Sequence, residues 1–323
     1  MKTTSRVEQI LGIKYPIIQA AMSWITDATM VAAVSNAGGL GVLGPHGGYN
    51  TPPTGGTTEA GERLRKEIRK IKSLTDKSFA LNLLMPQEGW DKYARTTFDV
   101  ALEEGVKYFV GVGYVNKEMI NEIKSKGGTL IFRELTPTAN GAKQAEAHGA
   151  DIIIATGYDE GGWLPQNRIG TFSIVPTIVD AVSIPVLATG GINDVRGVRA
   201  AFSLGAEGVY VGTRFIVSEE CPASDIVKQD IIQSTGSDLL FVSTMQRSTP
   251  GPFARDLAAT YRTPEDSAVN EQKIGAVGGL LPGMLLGKPS EGISSVNTAI
   301  DLIKEVKSCK EIIHELMIDF IEE

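Results

Sequence analysis

Histidine and cysteine are scarce in this chain, with three of the first and two of the second among 323 residues. Cys221 and Cys309 lie far apart and have no partners at metal-ligand spacing, so neither a disulfide framework nor a zinc site is expected; they read as two reduced thiols in the cytoplasm. Basic tracts are missing and the formal net charge is -7. That balance argues against nucleic acid as a partner, since phosphate backbones call for a basic surface. No apolar run reaches the length that spans a bilayer. The start, MKTTSRVEQILGIKYP, has no sustained apolar stretch of the kind that marks a signal peptide or an anchor. The expectation is a cytoplasmic protein that works on small molecules.

What the chain has in excess is glycine, 36 residues, gathered where apolar runs end. Tight turns and close approach to a ligand both call for glycine at such points. Hydrophobic residues at 42% and charged residues at 21% describe a globular protein. Eight short β-branched runs occupy 16–19, 39–44, 79–84, 108–113, 129–135, 151–157, 184–190 and 208–215. Most are continuously apolar, as strands buried on both faces of a parallel sheet are. Helical patterns separate them at 27–36, with Thr26 as its N-cap, and at 62–73, 90–104, 117–126, 141–148, 173–181 and 195–204. This alternation predicts an α/β fold, a (β/α)8 TIM barrel, with active-site groups at the C-terminal strand ends. A doubly wound open sheet is the alternative.

Two segments break the rhythm. Residues 45–61 form a Gly/Pro/Thr-rich loop, read either as a lid or as a surface excursion. Residues 217–273 are polar with helical stretches, and are read as an inserted helical subdomain over the barrel mouth. Residues 1–216 and 274–323 then make up the barrel and its C-terminal helices.

The strongest chemical signal lies at the ends of the seventh and eighth runs, LATGGIND and VYVGTRF. In TIM barrels the loops after these two strands commonly bind phosphate. Gly190, Gly191 and Gly212 let backbone N–H groups approach phosphate oxygens, a helix end adds partial positive charge, and the Thr213 hydroxyl adds a donor. Gly39, Gly41 and Gly44 spell G-x-G-x-x-G, but here the motif follows a helix and is itself a strand, so dinucleotide binding is not expected there. Asn82 is polar inside an apolar strand and needs a partner, either a neighbouring strand end or a polar cofactor edge. Ala20, Ala21 and Met22, just after the first strand, offer small residues and backbone donors where a flat ring can lie.

Taken in order, YPIIQAAMSWITD, SNAGGLGVLG, KSLTDKSFALNLL, GADIIIATGYDEGG, IPVLATGGI and GAEGVYVGTRF resemble the nitronate monooxygenase family, formerly the 2-nitropropane dioxygenases, which includes the flavin-dependent enoyl-ACP reductase II. The likeness is close over 7–216 and weaker beyond, where GGLLPGMLLGKPSEGISSV is similar to the family's closing segment. It implies a TIM barrel with a helical insert and non-covalent FMN. The ring would lie near Ala20, Ala21, Met22 and Asn82, and the phosphate at Gly190, Gly191, Gly212 and Thr213. Gly161 and Gly162 would flank the flavin.

The family carries a histidine after that glycine pair, where this chain has Trp163. Histidine is the common proton carrier near neutral pH, and tryptophan cannot take that role. Trp163 either stacks on substrate or flavin, or caps a hydrophobic wall. His46, in the loop after the second run, is the one histidine placed to reach the flavin; His148 and His314 read as bland helix residues. Asp159 and Glu160 read as solvated surface carboxylates, and Ser243 and Arg247 as candidates for gating. Three functions stay open: oxidation of alkyl nitronates or a similar small substrate, NAD(P)H-dependent reduction of an enoyl thioester or a quinone, and an FMN-binding barrel without activity. KSLTDKSFALNLL resembles the reductase branch. The partners expected are a small molecule or an acyl thioester, with a homodimer left open.

Overall fold

The computed structural model describes residues 5–321. A leading helix, α1 (Arg6–Leu11), is followed by β1 (Ile17–Gln19), α2 (Ala28–Asn36), β2 (Gly41–Leu43), α3 (Gly56–Leu74), β3 (Phe79–Met85), α4 (Lys92–Glu103) and β4 (Tyr108–Gly113). Then come α5 (Lys117–Ser125), β5 (Thr129–Glu134), α6 (Ala139–His148), β6 (Ile152–Thr156), α7 (Thr171–Val179), β7 (Val186–Thr189), α8 (Val195–Ser203) and β8 (Gly208–Val211). All eight strands are parallel, in the order β1-β8-β7-β6-β5-β4-β3-β2. A parallel bridge from Ile18 to Leu40 brings β1 back against β2, so the sheet closes into the expected (β/α)8 TIM barrel. An open sheet would leave β1 and β2 apart.

Closure rests on one side chain as well as on backbone. Gln19 is fully buried, and its Oε1 accepts the Val42 N–H at 3.0 Å, continuing the ladder where strand pairing is thinnest. Inside the barrel Ile18, Leu40, Val42, Ala80, Val110, Ile131, Ile152, Ile154 and Leu187 pack with Val7 and Leu11 of α1, which plugs the end where the strands begin. A second, larger apolar layer fills the space between strands and helices.

The strands and helices expected within the barrel, residues 16–215, are all present, with shifted ends. α2 is capped by Asp27, whose side chain accepts the Met30 N–H, rather than by Thr26. Thr26 instead binds the Met22 backbone on both sides, N at 3.2 Å and O at 2.9 Å, shaping the turn after β1. α3 begins at Gly56 because Glu59 reaches back to the N–H groups of Thr54 and Gly55 (2.8 and 2.6 Å), which shortens the irregular loop to 45–55. The eighth run ends as a strand at Val211; Thr213–Ile216 form one turn of helix, α9, with all four side chains buried.

The glycines of the 39–44 motif serve packing. A Cβ on Gly41 would stand 2.2 Å from the Val31 carbonyl oxygen, so α2 lies directly on β2 only because that position is glycine.

Beyond the barrel lie α10 (Asp225–Gln233), a two-stranded antiparallel pair (Leu240–Phe241 with Arg247–Ser248), α11 (Pro252–Thr260) and α12 (Pro264–Ala276). Val227 and Ile231 of α10 pack in the main core. Val242, Ala254, Leu257, Ile274 and Ile293 make a small core of their own, drawing on both sides of the 273/274 position. Past α12, residues 277–308 are mainly irregular, and among the described residues one α-helix, α13 (Cys309–Leu316), stands where amphipathic helices are expected. No helix of the described residues is long and apolar enough to cross a membrane.

Candidate active site

A cavity of about 870 Å³ opens at the C-terminal ends of the strands. This size suits a bound cofactor or small ligand. Every strand contributes to its wall through its last residues or the loop that follows, and 276–281 with Met284 and Gln246 cover it from the far side. All of Ala20, Ala21, Met22, His46, Asn82, Gly161, Gly162, Trp163, Gly190, Gly191, Gly212 and Thr213 line it. Residues from six separate stretches of the chain thus share one space.

At the end of β7, Gly190 and Gly191 have φ of +111° and +72°, the left-handed region that side-chain-bearing residues rarely adopt. The helix that follows, α8, is already capped, since Asp194 accepts from the N–H groups of Arg196 and Gly197. The free helix start lies after β8 instead. Gly212 brings no side-chain cap, Phe215 and Ile216 N–H both return to its carbonyl (2.8 and 3.3 Å), and the N–H groups ahead of them are the orphan donors of any helix start. Thr213 Oγ1 accepts the Asn297 N–H at 3.0 Å, which leaves its own proton to donate.

The segment 295–299, which sequence reasoning did not single out, ties these loops together. Asn193 and Asn297 exchange side-chain hydrogen bonds (2.9 and 2.8 Å), and Thr298 N–H donates to the Asp159 carbonyl at 3.0 Å. Ser295 lines the cavity and its buried Oγ has no partner within the protein. A buried hydroxyl without a partner is costly unless a ligand meets it. Glycine backbone, an uncapped helix start, a free hydroxyl proton on Thr213 and the orphaned Ser295 together fit a phosphate-bearing cofactor.

Asn82 donates its Nδ2 to the Val110 carbonyl of β4 at 3.2 Å, so its oxygen is the atom left to accept from a ligand. His46 stacks on Trp24 with centroids 4.3 Å apart, and burial, reinforced by the Arg63 charge, holds its pKa below the ordinary histidine value. Trp163 sits at the rim, 42% exposed.

The carboxylate next to the glycine pair is the largest departure from expectation. Glu160 is buried rather than solvated, and it pairs with buried Arg133 at the end of β5, whose Nη2 lies 2.5 and 2.6 Å from its two oxygens. Burial raises its pKa to about 7 against the opposing pull of Arg133. Asp159, by contrast, turns to the start of α7 and accepts the Thr171 N–H at 2.7 Å. Arg247 is no gate: it donates to the carbonyls of Tyr158 and Glu160, the latter at 2.9 Å, and clamps the loop from behind. Ser243 is fully buried and holds the turn at 245–246 (3.1 and 2.9 Å). On β8, Tyr210 accepts the Ala21 N–H at 2.9 Å, and burial raises its phenol to about 12. Cys221 and Cys309 are buried free thiols, raised well above the ordinary thiol value by burial, and stand outside the cavity wall.

A closed parallel barrel with glycine-walled loops after strands seven and eight is the layout of a TIM-barrel enzyme built around a phosphate-bearing cofactor. The profile of the nitronate monooxygenase family matches residues 4–319, and the chain belongs to that family. It is an oxidoreductase, and the family is one of flavin enzymes. A probable nitronate monooxygenase of Staphylococcus haemolyticus (strain JCSC1435) is 36% identical over 277 residues, covering 73% of this chain and 74% of the relative. One from Staphylococcus aureus (strain JH9) is 34% identical over 300 residues, covering 80% and 79%. Among solved structures, FabK from Thermotoga maritima superposes with a TM-score of 0.86 at 31% identity, over 99% of this chain and 96% of that one. A nitroalkane oxidase from Streptomyces ansochromogenes shares the fold, with a TM-score of 0.77 at 22% identity over 95% and 96%.

Proposed function

We propose that this chain is an FMN-dependent oxidoreductase that oxidises alkyl nitronates or a similarly small substrate at the barrel mouth. The observation that carries the reading is one cavity lined by every residue expected to bind the cofactor, together with His46 and Trp163. Gly190, Gly191, Gly212 and Thr213 would hold the phosphate, with Ser295 as an added donor. Ala20, Ala21 and Met22 would bed the ring, with Asn82 offering its oxygen to a ring N–H and Gly161 and Gly162 leaving room beside it. When bound, FMN supplies the two-electron chemistry, and the protein supplies position and electrostatics. Arg133 puts a positive charge on the wall that suits an anionic substrate. Two buried, unoxidised thiols are consistent with a cytoplasmic setting.

A second reading, an NAD(P)H-dependent reductase of enoyl thioesters or quinones, draws on the likeness to FabK along 99% of the chain. The two part under strict anaerobiosis. A nitronate oxidase keeps its flavin band with NADH or NADPH and loses it with ethyl nitronate, whereas a reductase bleaches with the nicotinamide. A flavin that neither reductant bleaches would mark a binding barrel without activity. Colourless protein that releases no FMN on denaturation would sink the flavin assignment itself.

A further inference from the structure

Among the described residues that line the cavity, Glu160 is the only carboxylate and Arg133 the only fixed cation. Glu160 adjoins Gly161 and Gly162, three positions before Trp163, so it stands beside the place where a proton carrier is missing. Its loop is held from three sides. Arg247 binds the carbonyls of Tyr158 and Glu160, Thr298 N–H binds that of Asp159, and a Cβ on Gly161 would fall 2.6 Å from the Val296 carbonyl carbon. A side chain on so constrained a backbone is preorganised. The charged and titratable groups facing it are Arg133 from β5, Arg247 from the short hairpin and Tyr210 from β8, while Asp159 directs its carboxylate to Thr171.

We propose that Glu160, held by Arg133, is the base of this active site, and that it removes the proton from the carbon beside a nitro group. The inference rests on the nitronate reading of the site. The C–H bond breaks, its electron pair becomes the C=N bond and places negative charge on the nitro oxygens, and an O–H bond forms on Glu160. Nitroalkane and carboxylate become nitronate and carboxylic acid, with nothing oxidised or reduced. Arg133 supplies positive charge next to the anion formed. A carboxyl titrating at about 7 exists in both forms at neutral pH, as a proton-transfer group should.

The test follows the α-hydrogens of nitroethane in D2O by proton NMR, with purified wild type, Glu160→Gln and Glu160→Asp. Wild type is expected to exchange hydrogen for deuterium above the buffer rate, with the rate rising through about pH 7 and then levelling. E160Q is expected to lose on the order of 100-fold of that rate. Bleaching by pre-formed ethyl nitronate under anaerobic conditions, which needs no proton removal, should fall by a much smaller factor. Exchange absent in wild type, or unchanged in E160Q, overturns the proposal. So does a loss in E160Q matched by an equal loss with pre-formed nitronate. Unfolding midpoints check that the variants fold; if E160Q does not, E160D decides, with a displaced pH midpoint expected and an unmoved one counting against Glu160. Exchange needs no flavin, so wild type that exchanges but is never bleached by nitronate would sink the oxidase reading and spare the base.

Discussion

Gly191 carries φ of +72°, yet a Cβ there would meet Asp159 and Ala299 only at ordinary contact distances, 3.5 and 3.7 Å. Gly191→Val is therefore opposed by backbone strain rather than by crowding, at a cost of about 1–2 kcal/mol. Its sharper effect is expected on the ligand, since the side chain stands at the proposed phosphate site. Flavin per protein, read by absorbance after denaturation, should fall well below wild type; unchanged occupancy would remove Gly191 from that site. Trp163→His tests the rim. With the residue 42% exposed and open space beside Gly162, the change should leave the unfolding free energy within about 0.5 kcal/mol of wild type. Turnover or substrate range should shift, and kinetics identical on nitronates, enoyl thioesters and quinones would make position 163 purely structural. His46, kept neutral by burial and by Arg63, should titrate below the ordinary histidine value in an NMR pH series.

At the scale of elements, the contact between α2 and β2 depends on one missing side chain. Gly41→Ala would push a methyl to 2.2 Å from the Val31 carbonyl oxygen and 2.8 Å from its carbonyl carbon, and a backbone cannot swing aside as a side chain can. The helix must move off the strand. A loss of about 3 kcal/mol is expected, measured as a lower urea midpoint with unchanged slope. The same elements show what was legible. Strands buried on both faces are continuously apolar, so all eight could be found in the chain. Their ends were less so: the eighth run, read to Phe215, breaks off at Val211 and gives way to the buried turn at Thr213–Ile216, and α3 gains a turn from the Glu59 side chain rather than from any periodicity.

For the whole molecule, the buried Glu160 links stability to pH. Its folded pKa, about 7, lies above the ordinary 4.5, so the folded state holds the proton more tightly than the unfolded chain. The sign follows: this contribution is fully present below about pH 4.5, is lost as pH rises to about 7, and is level beyond. Other groups titrate too, so the wild-type curve minus that of E160Q isolates it. A flat difference between pH 4.5 and 7 would mean that the carboxyl is not held as the structure places it.

Composition, apolar runs and glycine positions determined the barrel, its order of elements and the ring of residues at its mouth, because those signals are local and repeat with the βα unit. Trp163 in place of the family's histidine was visible only through the family resemblance, which also pointed to Gly161 and Gly162. Only the tertiary structure decided the rest. Whether Glu160 is solvated or buried depends on Arg133, 27 residues away, arriving at 2.5 Å, and no short-range pattern records that meeting. Arg247 holding the loop, Ser295 left without a partner and Gln19 sealing the seam are likewise set by packing between distant segments. Burial changes what a charge can do, and burial is a property of the fold.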